Sequence, residues 1–143
     1  MSQEYSANPG QPFAWPVRVY WEDTDGGGVV YHSRYLNFFE RARSELLRAR
    51  GIDQLALKDD HGFIWVVTEM NVKFRKAARL DDELQVSADF RWMKGVRQGF
   101  DQEITREPDG ELIAAAEVTA VMLQADTLKP VRLPDWIKNK LQA

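Results

Sequence analysis

The chain has no cysteine among its 143 residues. This absence excludes disulfides, zinc–thiolate sites, iron–sulfur clusters and a cysteine nucleophile, and it fits a reducing compartment. Long hydrophobic runs are missing too, because no segment approaches the roughly 20 apolar residues of a transmembrane helix. Neither sign of charge dominates, since 19 basic residues against 22 acidic ones give a net charge of −3. That balance argues against a protein that coats nucleic acid, and we expect no nucleic-acid partner.

The length and the first residues indicate how the chain is organised. A chain of 143 residues fits one domain, because domains usually comprise roughly 100–200 residues. Residues 1–14 are polar and show neither the basic start nor the apolar run of a secretory signal. We expect them to be a flexible lead-in to a single domain over 15–143, and we expect the protein to be cytoplasmic.

Hydrophobic periodicity predicts the elements of that domain. Apolar and polar residues alternate over 17–22, 66–75, 84–92 and 96–104, which indicates four strands. Residues 112–124 are apolar on both faces, which indicates a fifth strand that is covered on both sides. Between the first two strands, residues 32–50 show three/four spacing, and a short terminal helix is expected over 134–141. This order predicts an α+β fold in which an antiparallel sheet covers the apolar stripe of one long helix. The stripe comprises Tyr35, Phe38, Phe39, Ala42, Leu46 and Ala49.

The most informative segment is Glu22–Tyr35, with the sequence EDTDGGGVVYHSRY. Two carboxylates, Asp23 and Asp25, precede three glycines and the start of the predicted helix. The glycines permit positive φ and close approach of a ligand to the backbone. A helix N-terminus presents unpaired N–H groups that can stabilise a developing oxyanion. A nearby carboxylate can attack a carbonyl or activate a water, so this segment is the candidate active site.

The two aspartates also fit patterns other than an active site. A calcium loop needs a third oxygen ligand where Gly27 stands, together with a later bidentate glutamate that is missing. The Asp-x-Asp pattern is also typical of aspartyl-phosphate phosphatases, whose larger doubly wound sheet this chain cannot supply. A turn in which the aspartates cap the helix stays open as the structural alternative.

The run WPVRVYWEDTDGGGVVYHSRYLNFFERARSELLR, over residues 15–48, resembles the Tol-Pal-associated, YbgC-like members of the 4-hydroxybenzoyl-CoA thioesterase family. Segments 72–82 and 129–134 resemble later landmarks of that family, so the likeness extends from Trp15 to the end of the chain. It implies the hot-dog fold, a sheet of about five strands wrapped around one long central helix. It also implies an acyl-CoA thioesterase that uses neither metal nor cofactor and assembles as a homodimer or homotetramer.

The resemblance assigns roles to residues of the glycine motif. Asp25 matches the catalytic carboxylate, and the backbone amide of His32 matches the group that faces the thioester carbonyl. Tyr31 supports that site. The ring of His32 stays open as an acid or base, and Glu40 on the long helix is a reserve candidate for the carboxylate. The loop that frames the substrate comprises Gly26, Gly27 and Gly28.

Two positions depart from the family pattern. Gly26 stands where relatives often carry alanine or proline, and Phe74 stands where tyrosine is expected in many relatives. The first departure affects the loop and the second the lining of the pocket. Neither removes a group that the chemistry needs.

Basic residues occur in two places where coenzyme A phosphates could bind. Arg75 and Lys76 lie in one run, and Arg91 and Arg97 lie around the next turn. We expect one of these pairs to contact the phosphates. A solvated strand face is the alternative.

The leading hypothesis is therefore an acyl-CoA thioesterase in which Asp25 acts as nucleophile or as general base, a choice that the sequence leaves open. An acyl carrier protein is a second candidate partner. A dehydratase on the same fold would need a histidine–carboxylate pair, and neither of the two histidines lies in a dehydratase motif. The alternative of another class is a non-catalytic scaffold that binds acyl-CoA or acyl carrier protein and is linked to envelope or phospholipid proteins.

Overall fold

The computed structural model describes residues 13–142. Five strands form one antiparallel sheet in the order β1-β3-β4-β5-β2, with α1 before β2 and a short α2 leading into it. No helix in this range is long and apolar enough to cross a membrane. The elements are β1 (Phe13–Arg18), α1 (His32–Ala49), α2 (Gln54–His61), β2 (Phe63–Phe74), β3 (Glu83–Lys94), β4 (Arg97–Glu107), β5 (Glu111–Gln124) and α3 (Asp135–Gln142).

The inner face of the sheet packs on α1. Alternate residues of β3 point inward and are buried, as its period of two predicts. The helix contributes Tyr35, Phe38, Phe39, Ala42 and Leu46, which are all buried in the same cluster. The expectation of an α+β fold with one dominant helix against an antiparallel sheet is thereby confirmed. A second apolar cluster joins α3 to the end of α1, through Ile137, Leu141 and Leu47.

The first strand differs from its prediction. It begins at Phe13 and ends at Arg18, whereas the alternation predicts 17–22. Trp21–Asp23 forms a short 3₁₀ turn instead, because the side chain of Asp23 accepts a hydrogen bond from the backbone amide of Tyr20. Of the expected lead-in over 1–14, residues 1–12 lie outside the described residues, and residues 13 and 14 pair with β3.

Candidate active site

A tight glycine loop connects the 3₁₀ turn to α1. Thr24 and Val30 form an antiparallel bridge, and the amide of Asp25 donates to the carbonyl of Val29 at 3.0 Å. The chain reverses between them with φ of +92° at Gly26 and +87° at Gly28. These are conformations that residues with a Cβ rarely adopt. The loop therefore holds Asp25 on one side and the start of α1 on the other.

The segment that follows β2 holds this loop by hydrogen bonds at Ala78 and Leu80. The amide of Val30 donates to the carbonyl of Ala78 at 2.8 Å, and the amide of Leu80 donates to the carbonyl of Gly28 at 2.9 Å. The amide of Ala78 in turn donates to the phenol oxygen of Tyr35 on α1, at 3.0 Å. Burial raises the pKa of Tyr35, and the Ala78 amide opposes that shift only in part. A neutral phenol thus links the helix, the loop and the segment below it.

The two aspartates of the motif have different surroundings, and Asp23 is the structural one. Its side chain is buried, and one oxygen accepts from the Tyr20 amide at 2.9 Å. The other oxygen accepts from Nη2 and Nε of Arg34, at 2.8 and 3.0 Å. The alternative in which the aspartates cap the long helix is wrong, because α1 has no side-chain cap. Asp23 instead accepts from the amide of Tyr20, the N-cap residue of the 3₁₀ turn. Arg34 has no role in the sequence-based prediction, since nothing in the local pattern pairs it with Asp23.

Asp25, by contrast, is exposed and has an oxygen to spare. Its Oδ1 accepts from the amide of Gly27 at 2.8 Å, and its Oδ2 accepts from no residue that the structure describes. A Cβ added at Gly27 would lie 3.3 Å from Oδ1. The glycine thus keeps space around the carboxylate, which is available to attack a carbonyl or to activate a water.

The start of α1 presents unused backbone donors. Tyr31 is the N-cap residue and has an extended backbone, with no side-chain cap. Its own amide donates to the carbonyl of Asp23 at 2.9 Å, and the amide of Arg34 donates to the carbonyl of Tyr31. Within residues 13–142, the amides of His32 and Ser33 have no acceptor. Unpaired N–H groups at a helix N-terminus carry partial positive charge, so the His32 amide can stabilise an oxyanion.

Aromatic rings surround this helix start. The rings of Tyr31 and His32 lie 4.4 Å apart and tilted, and both side chains are exposed. Phe74, at the end of β2, packs against Tyr35 with 5.4 Å between the ring centroids, and it is half exposed. The departure at Phe74 therefore lies beside the segment that supports the loop.

The two basic pairs lie at different levels along the strands of the sheet. The amides of Arg75 and Lys76 donate to the carbonyl of Ile113, and both side chains are exposed beside the segment that supports the loop. Through the pairing of β3, β4, β5 and β2, Arg91 lies level with Met70, which is five residues or roughly 16 Å along the strands from Arg75. Arg97 begins β4 level with Val66, which is roughly 30 Å from Arg75.

Arg91 is also engaged by acids. Its Nε donates to Asp101 at 3.0 Å, and its Nη1 lies 3.4 Å from Asp89. The hydrogen bond to Asp101 and the charges of both aspartates raise the pKa of Arg91. Arg75 and Lys76 thus precede the segment that hydrogen-bonds to the glycine loop, whereas Arg91 is held by aspartates elsewhere on the sheet.

The reserve carboxylate, Glu40, lies two turns beyond His32 on the exposed side of α1. It lines a cleft of about 350 Å³ together with Arg43. Nη1 of Arg43 donates to Oε1 of Gln102 at 2.8 Å. Burial lowers the pKa of Arg43, while Glu40 opposes that shift. The sequence pattern does not predict the hydrogen bond between Arg43 and Gln102, because Arg43 is one of several arginines on the helix.

No group of three or more His, Cys, Asp or Glu side chains within the described range is arranged to hold a metal ion. The second histidine, His61, ends α2 and contacts the rings of Phe63 and Trp136. It lies in the region of α3 rather than near the glycine loop.

Comparison with known proteins identifies relatives over nearly the whole chain. A model of the thioesterase-like superfamily matches residues 19–141. The acyl-CoA thioester hydrolase YbgC of Escherichia coli O6:H1 is 43% identical over 125 residues, which cover 87% of this chain and 92% of that protein. The acyl-CoA thioesterase YbgC of Haemophilus influenzae is 40% identical over 126 residues, which cover 88% and 91%. A probable thioesterase from Bartonella henselae has a crystal structure that superposes with a TM-score of 0.79 at 34% identity, over 87% of this chain and 100% of that one.

Proposed function

Since the chain belongs to the thioesterase-like superfamily, we propose that it hydrolyses acyl-CoA thioesters to a free acid and coenzyme A. One observation carries the proposal: a single glycine loop joins an exposed carboxylate, Asp25, to the unpaired amide of His32. Nucleophile or base and oxyanion donor are the two groups that acyl transfer to water requires. Relatives at 40% and 43% identity that are named as acyl-CoA thioesterases support this choice of substrate.

The reaction would begin when the thioester carbonyl oxygen accepts a hydrogen bond from the His32 amide. The N-terminal end of α1 stabilises the negative charge that develops on that oxygen. Asp25 then attacks the carbonyl carbon, the carbon–sulfur bond breaks, and coenzyme A leaves as the thiolate. Water hydrolyses the resulting mixed anhydride and restores the carboxylate. In the second route, Asp25 takes a proton from a water that attacks directly. Neither route uses a metal or a cofactor.

Recognition of the coenzyme A phosphates is proposed for Arg75 and Lys76. Both are exposed beside the segment that hydrogen-bonds to the glycine loop. Arg91 and Arg97 lie farther along the strands from that segment, and Arg91 is already paired with acids. The same basic rim would suit an acidic acyl carrier protein.

We also propose a cytoplasmic location, which fits a chain that needs no oxidising compartment for disulfides.

We further propose a homodimer that forms through β2. Within residues 13–142 this edge strand pairs only with β5, and it carries two exposed apolar side chains, Val67 at 44% and Phe74 at 51%. An unpaired edge of this kind is a template for another strand. Val67 also lines the cleft beside α1, so a second copy would enclose a passage between subunits. Val67→Lys is expected to shift sedimentation from dimer to monomer, whereas Asn71→Lys on the outer face of the strand changes it less.

The test of function is release of thiol from acyl-CoA, followed with a chromogenic thiol reagent over a panel of chain lengths. Turnover that is unaffected by a metal chelator supports the proposal. Binding of acyl-CoA without thiol release would instead favour the non-catalytic scaffold. If turnover depends on one added metal, the metal-free mechanism is wrong.

A further inference from the structure

The cleft beside α1 has apolar walls and one cationic group. It opens between the helix and three strands, β2, β4 and β5, and has a volume of about 350 Å³. Arg43 lies in its lining, and Glu40 and Ser44 are its neighbours on the helix. The apolar walls are formed by Leu47, Trp65, Val66, Phe100 and Ala120.

Arg43 has hydrogen-bonding capacity that the fold does not use. A guanidinium carries five N–H donors, and only the bond from Nη1 to Gln102 is made with the described part of the chain. Both N–H groups of the Gln102 side chain are already used, since they donate to the carbonyls of Phe39 and Ser87. No carboxylate within residues 13–142 lies within 4.0 Å of Arg43, whereas Arg34 and Arg106 each have two. A partly buried cation therefore borders an apolar cleft with donors to spare.

The helix connects this cleft to the candidate oxyanion donor. Arg43 follows His32 by eleven residues on α1, which is about three turns and about 16 Å along the axis. The two residues therefore lie on the same side of the helix. Leu36, one turn after His32 on that side, is an apolar residue with 41% of its surface exposed. An acyl group whose thioester carbonyl meets the His32 amide can lie along Leu36 and end at Arg43.

We propose that Arg43 is a specificity-determining residue, which selects acyl groups whose far end carries an oxygen that accepts a hydrogen bond. This inference rests on the proposed thioesterase function. A terminal hydroxyl or carboxylate would receive a charge-assisted hydrogen bond from Arg43. A methyl group at the same place would cover the guanidinium without offering a partner, which is unfavourable for a buried charge. Glu40 at the same cleft repels a carboxylate, so a hydroxyl end is expected to be the better of the two.

The experiment compares three acyl-CoA substrates of equal length that end in a methyl, a hydroxyl or a carboxylate. The wild type is expected to favour the hydroxyl end over the methyl end in kcat/KM by about tenfold or more, the usual effect of one hydrogen bond to a charged group. Arg43→Met is expected to reverse this preference, and Arg43→Lys to retain part of it. Arg48→Met is the matched control, because Arg48 lies on the same helix, is exposed and pairs with Glu45. The control keeps the preference of the wild type.

A binding measurement separates this inference from the proposed function. S-alkyl-CoA thioethers with the same three ends cannot be hydrolysed, and their affinities report on the cleft alone. Hydrolysis of all three substrates at equal kcat/KM overturns the role of Arg43 and leaves the thioesterase proposal standing. Selective thioether binding without any hydrolysis would overturn the thioesterase proposal and leave the role of Arg43 in selecting the acyl end standing. If Arg43→Met does not fold, as a melting curve would show, the preference of the wild type decides the question, and equal treatment of the three ends rejects the inference.

Discussion

The guanidinium of Arg34 donates two hydrogen bonds to one carboxylate oxygen of Asp23, at 2.8 and 3.0 Å. Arg34 lies in the first turn of α1, and Asp23 ends the 3₁₀ turn before the glycine loop. The ion pair thus joins the two segments that enter and leave the loop. Because Asp23 is 2% exposed, water competes little for its oxygens. The position of Asp25 relative to the start of α1 depends on this pair.

Asp23→Asn is expected to lower the free energy of unfolding by about 1–3 kcal/mol, because an amide group cannot accept all three hydrogen bonds that the buried carboxylate receives. Urea denaturation measures the change. The control is Asp25→Asn, whose site is exposed and whose effect on stability should stay within about 0.5 kcal/mol. Equal stability of the two variants would show that the Arg34 pair contributes nothing to the fold.

Asp25→Asn is expected to reduce thioester hydrolysis by about 10²-fold or more, since the amide keeps the shape of the side chain but is neither nucleophile nor base. Affinity for a non-hydrolysable acyl-CoA thioether should stay close to that of the wild type. Thiol release and thioether binding are measured on the same preparation. A variant that turns over at the wild-type rate would exclude Asp25 and make Glu40 the leading carboxylate.

Tyr35→Phe removes the acceptor for the amide of Ala78, a residue that is buried. An unsatisfied buried N–H costs about 1–3 kcal/mol, so we expect a loss of stability of that size at neutral pH. Activity should fall as well, because the carbonyl of Ala78 holds the amide of Val30 at the end of the loop. Urea denaturation and thiol release measure the two effects. Unchanged stability would mean that the amide finds another acceptor.

Burial of the Tyr35 phenol predicts that stability depends on pH in the alkaline range. Burial raises the pKa of Tyr35 above its ordinary value of 10.0, so the folded state retains the phenol proton more tightly than the unfolded chain does. Stability from this group is therefore complete below pH 10 and declines as the pH rises above that value. The stability difference between the wild type and Tyr35→Phe should narrow over that range. A difference that stays constant would contradict the assignment.

Much of the fold could be predicted because its signals are local and periodic. The helix expected over 32–50 is observed at His32–Ala49, since its apolar stripe continues until Gly51 breaks the pattern. The strand predicted over 17–22 was wrong at both ends. Alternation of side chains extends through Trp21, but it does not reveal that Asp23 bonds to the Tyr20 amide and turns the chain.

In the candidate site, too, local features could be predicted from the sequence and contacts between distant residues could not. The glycine loop and the residues on either side of it are contiguous, so one motif contains them. Their supports are distant in sequence: Ala78 lies 43 residues from Tyr35, and Gln102 lies 59 residues from Arg43. No periodic pattern links such positions, because the contacts arise only when the sheet closes on the helix. The difference between Asp23 and Asp25 likewise depends on burial rather than on residue type.

The last prediction concerns the phosphates of coenzyme A. Arg75→Gln combined with Lys76→Gln should raise KM for acyl-CoA by about two- to tenfold, the range expected for two exposed charge contacts. It should leave KM for an acyl-pantetheine thioester nearly unchanged, because that substrate has no phosphates. The value of kcat should change little, since such contacts bind the ground state and the transition state alike.

The control is the double variant Arg91→Gln and Arg97→Gln, which removes equal charge farther along the strands and away from the glycine loop. A general effect of net charge would raise KM in both double variants, whereas a local phosphate contact raises it in the first alone. Because the contacts are exposed, the effect should shrink as ionic strength rises and the screening length falls from about 10 Å at 0.1 M to about 3 Å at 1 M. If the far pair alone changes the ratio of acyl-CoA to acyl-pantetheine turnover, the assignment to Arg75 and Lys76 is wrong. The proposed dimer joins two chains through their β2 edge strands. In that case Arg91 and Arg97 of one subunit would hold the phosphates of a substrate bound at the other subunit.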